Sequence, residues 1–318
     1  MLLIQYYLYI ILIIICINRG MKYQKELQTF LDTLSNKPKI IVIYGPTGSW
    51  KTDMSIDIAQ QLDTEIISTD SRQIFKYMDI GTGKITPEEM QWVPHHMLDI
   101  VTPDQEYSVW DFKRESLQVI GRLHAEDKIP MLVWWTALYI DSLIYDFALE
   151  KSSNKDDKLR AELEQVLAEK WPEALYKILQ EIDPEYAPEI HPNNARYVMR
   201  AIEVKKLTGK SKGEFRGNRE PIYDVLFLTP YTGDREALYE RINKREEQIV
   251  RGWLIDEVKS LVDMWYDRNS FGMKSIWYEE VLSYLEDEIS LEEAISEVQQ
   301  NSRRYAKRQL TRFRKYTS

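Results

Sequence analysis

Eight consecutive residues, Gly45-Pro46-Thr47-Gly48-Ser49-Trp50-Lys51-Thr52, hold the strongest chemical signal in this chain. They follow the spacing G-x-x-x-x-G-K-[ST] of a phosphate-binding loop, with Trp50 where the second glycine belongs. In such a loop, backbone N–H groups at a helix N-terminus point at phosphate oxygens. Lys51 adds a positive charge, and the Thr52 hydroxyl is a ligand type suited to Mg2+. An ordinary strand–helix turn is the plainer reading, but strand, loop and helix signals all fall where the motif needs them. Trp50 is the defect. Glycine there lets the backbone approach the phosphate closely, and an indole fills the space the phosphate should occupy.

A second candidate follows in Ile67-Ser68-Thr69-Asp70-Ser71-Arg72-Gln73. A carboxylate at the C-terminal end of a parallel strand faces the ligand crevice, so Asp70 is a candidate base or metal ligand. The alternative is a turn or helix cap made by Asp70 or Ser71.

The elements that must position these groups are legible as periods. Lys39–Tyr44 (KIIVIY) is a short apolar, β-branched run and predicts a buried strand; Glu65–Ser68, Ile129–Val133 and Tyr223–Leu228 predict three more. Met54, Ile58, Ala59 and Leu62 have helical spacing, as does the stretch Asp111–Ala125. Strand, loop, helix, strand is the start of a parallel α/β sheet. From about Ser152 to Gly209 the chain is charged, helical in period and poor in strand signals, which predicts a helical insertion. After the last strand, Arg235–Lys315 is helical. The fold expected is an α/β, P-loop NTPase-like parallel sheet core (21–145 and 210–318) with a helical insertion domain (146–209).

Composition narrows the partners. The 318 residues carry a net charge of −9, with 44% hydrophobic and 29% charged residues, so any nucleic-acid contact must come from a local basic patch. The run from Arg303 to Lys315 supplies one: seven basic residues and no acid. On a helix Arg304, Arg308, Arg312 and Lys315 form a stripe, while Ala306, Leu310 and Phe313 form an apolar face. A solvated basic helix is the plainer alternative. One cysteine, Cys16, and four histidines exclude a disulfide framework and leave little for a zinc site. The His95–His96 pair reads as a structural turn. Residues 1–18 are almost wholly apolar but lack a basic leader and a cleavage site. A membrane anchor, a cleaved leader and a start codon placed too early are the three readings, and the third, with Met21 as the true start, is preferred.

GPTGSWKT, ISTDSRQIFKYMDIGTGK, VPHHMLDI, YSVWDF, IPMLVWWTALY, IHPNNARYVMRAIEV, RINKR, IWYEE and RRYAKRQLTRFR occur in this order. In order and spacing, from about Lys39 to Arg314, the chain resembles the tRNA dimethylallyltransferase family. The resemblance implies transfer of a dimethylallyl group from dimethylallyl diphosphate to the exocyclic amine of the adenosine beside a tRNA anticodon. It implies that Asp70 is the general base and that Thr47, Ser49, Lys51 and Thr52 hold the diphosphate, with Mg2+ on Thr52. Arg245 would be a second cationic clamp. Asp70, Ser71, Arg72, Gln73, Thr136, Arg196, Tyr197 and Arg200 match stretches that contact tRNA in the family, and Arg304 and Arg308 would grip the anticodon stem-loop. A cytoplasmic monomer is expected. A P-loop kinase of a small nucleotide and a tRNA-binding pseudoenzyme are the rival readings; ATP-dependent phosphoryl transfer separates the first, and binding without transfer the second.

The family pattern also carries glycine where this chain has Trp50, Trp92, Trp134, Trp135, Trp253, Trp265 and Trp277, with Trp110 and Trp171 as further cases. The chain has 12 glycines and nine tryptophans. Together they come close to the roughly 22 glycines of ordinary usage. A UGA codon read as glycine in the cell and as tryptophan in the printed translation accounts for this pattern. A degenerate, inactive relative is the rival.

Overall fold

The computed structural model describes residues 23–133, 136–145, 156–215 and 220–316. Residues 1–20, Trp134 and Trp135, and the start of the expected insertion at 146–155 lie outside them.

In chain order, helix α1 covers residues 23–32. Strand β1 (Lys39–Ile43), helix α2 (Lys51–Gln61), strand β2 (Ile66–Ser68), helix α3 (Pro87–Met90) and strand β3 (His95–His96) follow. Then come α4 (Val109–Ala125), β4 (Met131–Val133), α5 (Ala137–Ile144), α6 (Asp157–Ile182), α7 (Ala195–Thr208) and β5 (Asp224–Leu228). The chain ends in α8 (Arg235–Ile249), a π-helical turn (Val250–Leu254), α9 (Ile255–Asp263), α10 (Tyr278–Leu285) and α11 (Leu291–Phe313).

The sheet order is β3-β2-β4-β1-β5, and every pairing is parallel. A parallel sheet is covered on both faces, which is why β1 reads as an unbroken apolar run. Ile40, Ile41, Val42 and Ile43 are completely buried. β1 lies between β4 and β5, so the loop after it opens at the C-terminal edge of the sheet, between two neighbouring strand ends.

The histidine pair corrects its sequence reading. His95 and His96 are not a turn but β3, paired with Ile66 and Ile67 of β2. His96 Nε2 lies 2.6 Å from Glu65 Oε2, and Arg122 also bonds this carboxylate. The Arg122 hydrogen bond, more than any other cause, holds the Glu65 carboxyl below its usual range. A two-residue edge strand has no period for a sequence to reveal.

The chain divides into two compact units. One contains all five strands and helices α8–α11; the other comprises residues 108–114 and 141–221. The second unit is wider than the insertion expected at 146–209. Its core is α6 against α7, with Leu163, Leu175, Leu179, Val198 and Ile202 buried together.

Candidate active site

The chain leaves β1 through Tyr44, whose N–H donates to Leu228 O of β5 at 3.0 Å, and loops over 45–50 into α2. The Lys51 side chain is buried and folds back so that Nζ donates to Pro46 O at 2.9 Å. Burial lowers the Lys51 ammonium to about 7; Asp70 opposes the shift and Arg245 adds to it. Ser49 Oγ is buried and accepts or donates no hydrogen bond among the described residues. A buried hydroxyl such as Ser49 Oγ, with no hydrogen-bond partner among the described residues, is of the type that meets phosphate oxygens.

Asp70 follows the end of β2, which is separated from β1 by β4. Its Oδ1 accepts the Arg72 N–H at 2.8 Å. Burial pushes the Asp70 carboxyl up, while the Arg72 N–H and the charges of Arg72 and Lys51 hold it down. A carboxylate so placed is poised to accept a proton rather than to rest in a solvated ion pair. Ser71 N–H donates to Thr136 Oγ1 at 3.1 Å, and Thr136 N–H to Thr69 O at 2.8 Å, which fastens the loop after β2 to the end of β4.

These groups border a cavity of about 890 Å³. Thr47, Ser49, Trp50, Lys51 and Thr52 form one side, Asp70, Ser71 and Arg72 another, and Arg245 of α8 and Arg308 of α11 close it. Arg245 Nη1 lies 3.2 Å from Glu246 Oε1. Glu246 is buried, and Trp277 Nε1 donates to its other oxygen at 2.8 Å.

Other expected residues lie elsewhere. Gln73 is buried in this structure. Its side chain accepts from Ser68 Oγ at 2.9 Å and donates to Gly83 O at 3.1 Å. Gly45 and Pro46 carry the loop but do not line the cavity. Arg196 and Tyr197 are exposed on α7 of the second unit, and Arg200 there pairs with Glu203 at 3.2 Å. On α11, Arg304, Arg308 and Arg312 are exposed, Ala306 and Phe313 are buried and Leu310 is half-buried, as the helical stripe requires. Arg303 is half-buried and bonds Asn243 Oδ1, and Lys315 falls past the helix with Nζ 4.6 Å from the Tyr316 ring centre.

The cavity wall also includes stretches with no role assigned from the sequence, among them Asp79–Thr86, Lys274–Ile276 and Tyr305. Tyr305 sits three residues before Arg308 on α11, the spacing that puts two side chains on one helix face. Burial raises its phenol above the usual range, and the charge of Asp70 adds to the rise.

The IPP transferase family model matches residues 73–316, and the isopentenyl transferase model matches residues 38–100. The chain belongs to the IPP transferase family. The tRNA dimethylallyltransferase of Alkaliphilus oremlandii is 46% identical over 282 residues, 88% of this chain and 90% of that protein. That of Bacillus licheniformis is 45% identical over 279 residues, covering 87% and 88%. Among solved structures, the tRNA isopentenylpyrophosphate transferase of Bacillus halodurans is 42% identical with a TM-score of 0.63, covering 87% of each chain. A eukaryotic dimethylallyltransferase caught acting on tRNA is 31% identical with a TM-score of 0.75, covering 87% of this chain and 70% of that one.

Against this family the tryptophans stand out in the backbone itself. Trp50, Trp92, Trp265 and Trp277 have φ of 58°, 67°, 69° and 83°. This is the left-handed region, which costs an L-residue roughly 1–2 kcal/mol and glycine nothing comparable. Aspartate, the other residue type frequent there in this chain, has a short polar side chain that bonds locally; tryptophan has no such compensation. Trp50 does not fill the phosphate loop. Its ring turns outward, half exposed, with the Arg241 guanidinium 4.9 Å from the ring centre, although it still borders the cavity. Trp92 and Trp265 are 100% and 93% exposed and contribute nothing to the core.

Proposed function

We propose that this chain transfers a dimethylallyl group from dimethylallyl diphosphate to the exocyclic amine of the adenosine beside a tRNA anticodon, acting as a monomer in the cytoplasm. The observation that carries the reading is the pairing of a buried Lys51 with a buried Asp70 at one cavity, in a chain of this family. The chemistry needs an anion site and a base side by side. The adenine amine is a weak nucleophile because its lone pair is delocalised into the ring. As it attacks the prenyl carbon, the C–O bond to the diphosphate breaks, and Asp70 takes the proton that the amine loses. Lys51, Arg245 and the N–H groups at the start of α2 meet the charge that grows on the departing diphosphate. Thr47 and Ser49 add hydroxyl donors on the same side.

Mg2+ fits this donor set. The Thr52 hydroxyl lies in the first turn of α2 on the cavity wall, and Mg2+ takes one or two protein oxygens with the rest from phosphate and water. When bound, the ion would neutralise leaving-group charge. Arg196, Tyr197, Arg200, Arg304 and Arg308 are proposed to hold the anticodon stem-loop, so that the target base can leave its stack at a cost of a few kcal/mol. The comparisons favour transferases over the kinase reading.

The test incubates the chain, in a version with glycine at positions 50, 134 and 135, with dimethylallyl diphosphate and unmodified tRNA. The reading expects one adenosine per tRNA to gain a C5H8 unit on digestion and mass analysis. Unchanged nucleosides would refute it.

A further inference from the structure

The cavity wall Asp79-Ile80-Gly81-Thr82-Gly83-Lys84 is held by a carboxylate far away in sequence. Glu257, on α9, accepts through Oε2 from the N–H groups of Asp79 at 2.8 Å and Ile80 at 2.7 Å. Its Oε1 accepts from Gly81 N–H at 3.1 Å and from the Tyr278 hydroxyl at 2.5 Å. Consecutive N–H groups converging on one anion are what loops use to hold phosphate. Here the anion is built in. The N–H groups of Asp79, Ile80 and Gly81 are therefore already engaged and do not themselves form an anion site.

The pinned backbone is fitted tightly on two sides. Tyr278 is completely buried, and a Cβ placed on Gly81 would stand 2.5 Å from its ring. Two residues on, Gly83 has φ +59°, and a Cβ there would stand 2.9 Å from Arg245 Nη2. The wall thus runs between the Tyr278 ring, which leaves no room for a side chain at Gly81, and the Arg245 guanidinium, which lies against Gly83. Burial and the neighbouring Glu257 charge push the Tyr278 phenol well above its usual range, so it stays a donor to the carboxylate. Gln73 reaches Gly83 O from the other flank, and Lys84 Nζ donates to Phe75 O at 2.9 Å.

We propose that Glu257 is a positioning residue for the diphosphate pocket: by pinning Asp79–Gly81 it sets the wall against which the Arg245 guanidinium is placed. The inference rests on the reading of this cavity as the prenyl-diphosphate site. Glutamine at 257 has nearly the same shape, but its NH2 would face N–H or O–H donors, and the charge that strengthens all four bonds would be gone. Tyr278→Phe removes one donor and leaves the charge.

The experiment compares Glu257→Gln and Tyr278→Phe in a parent chain carrying Trp50→Gly, Trp134→Gly and Trp135→Gly. Calorimetry reads the affinity for inorganic diphosphate, filter binding the affinity for tRNA, and initial rates kcat and KM for dimethylallyl diphosphate. Glu257→Gln is expected to weaken diphosphate binding, and to raise KM, by roughly 10- to 100-fold, the size of effect seen when a supporting contact is lost. Tyr278→Phe should do the same to a smaller degree, with tRNA affinity unchanged in both. Unchanged diphosphate affinity in Glu257→Gln overturns the proposal. So does a parallel fall of diphosphate affinity, tRNA affinity and thermal midpoint, which would mark Glu257 as a general prop of the fold. A parent that binds diphosphate yet transfers nothing refutes the proposed activity while the variants still decide the role of Glu257. A parent that binds no diphosphate overturns both.

Discussion

Replacing Trp92 and Trp265 by glycine should stabilise this protein, although such a change at an ordinary position destabilises. Both tryptophans lie in the left-handed region, at φ 67° and 69°, and both are almost wholly exposed. Relief of the left-handed strain contributes about 1–2 kcal/mol per site, and the extra backbone freedom of glycine in the unfolded chain takes back about 0.5–1. The net is roughly 0.5–1 kcal/mol per site, or about 1–2 for the pair. At about 2.1 cal/mol/K of unfolding entropy per residue, that raises the thermal midpoint of a chain of this size by roughly 1.5–3 °C. Trp50 and Trp277 have the same strain but make contacts that offset part of the gain: Trp50 against Arg241, and Trp277 with Glu246. The assay is calorimetric melting of the printed chain against Trp92→Gly, Trp265→Gly and the double variant. A midpoint that stays or falls in the double variant would refute the argument that these are glycine positions. The same argument has a chemical counterpart. Peptide mass spectrometry of the protein from its own cells should find glycine at 50, 92, 265 and 277, and the gene should carry UGA there; UGG codons would leave the degenerate relative as the better account.

Asp70→Asn keeps the shape and removes the base, so turnover should fall at least about 100-fold with tRNA affinity little changed; near-normal turnover would sink the assignment. Arg304 and Arg312 are exposed on α11 and, unlike Arg308, do not border the cavity. Neutralising both should weaken tRNA binding and flatten its salt dependence by up to about one unit of slope per lost phosphate contact, without moving diphosphate affinity. Lys51 gives a pH signature. Its ammonium is lowered to about 7 in the free protein, and a bound diphosphate favours the charged form. Diphosphate affinity should therefore be full below pH 7 and fall as pH rises above it, by up to about tenfold per unit, in calorimetric titrations across pH 6 to 9. A flat profile would show that Lys51 does not face the phosphates.

The core of this fold is legible because its signals are local. β1 is an apolar run buried on both faces, the loop follows at once, and α2 begins at Lys51, so the loop that carries the candidate phosphate site can be placed from eight residues alone. The stripe on α11 is legible for the same reason, since helical period depends only on neighbours. What escaped depends on distant partners. Gln73 reads as a polar loop residue, yet it is buried because Ser68 and Gly83 satisfy its amide. Glu257 reads as one more acid on an amphipathic helix, and its role depends on backbone N–H groups some 180 residues earlier. The second compact unit includes residues 108–114, far in sequence from the rest of it, which no local change of composition marks. Four of the tryptophans that the resemblance places at glycine positions, Trp50, Trp92, Trp265 and Trp277, have the positive φ that glycine favours.

The most direct measurement of the central claim is a single-turnover reaction in which released diphosphate and prenylated adenosine are counted together. The account predicts that diphosphate leaves only when tRNA is present, one for each C5H8 unit gained by the adenosine beside the anticodon, and that ATP neither supports nor replaces the reaction. Diphosphate release without tRNA, transfer to another nucleoside, or phosphoryl transfer from ATP at this site would contradict it.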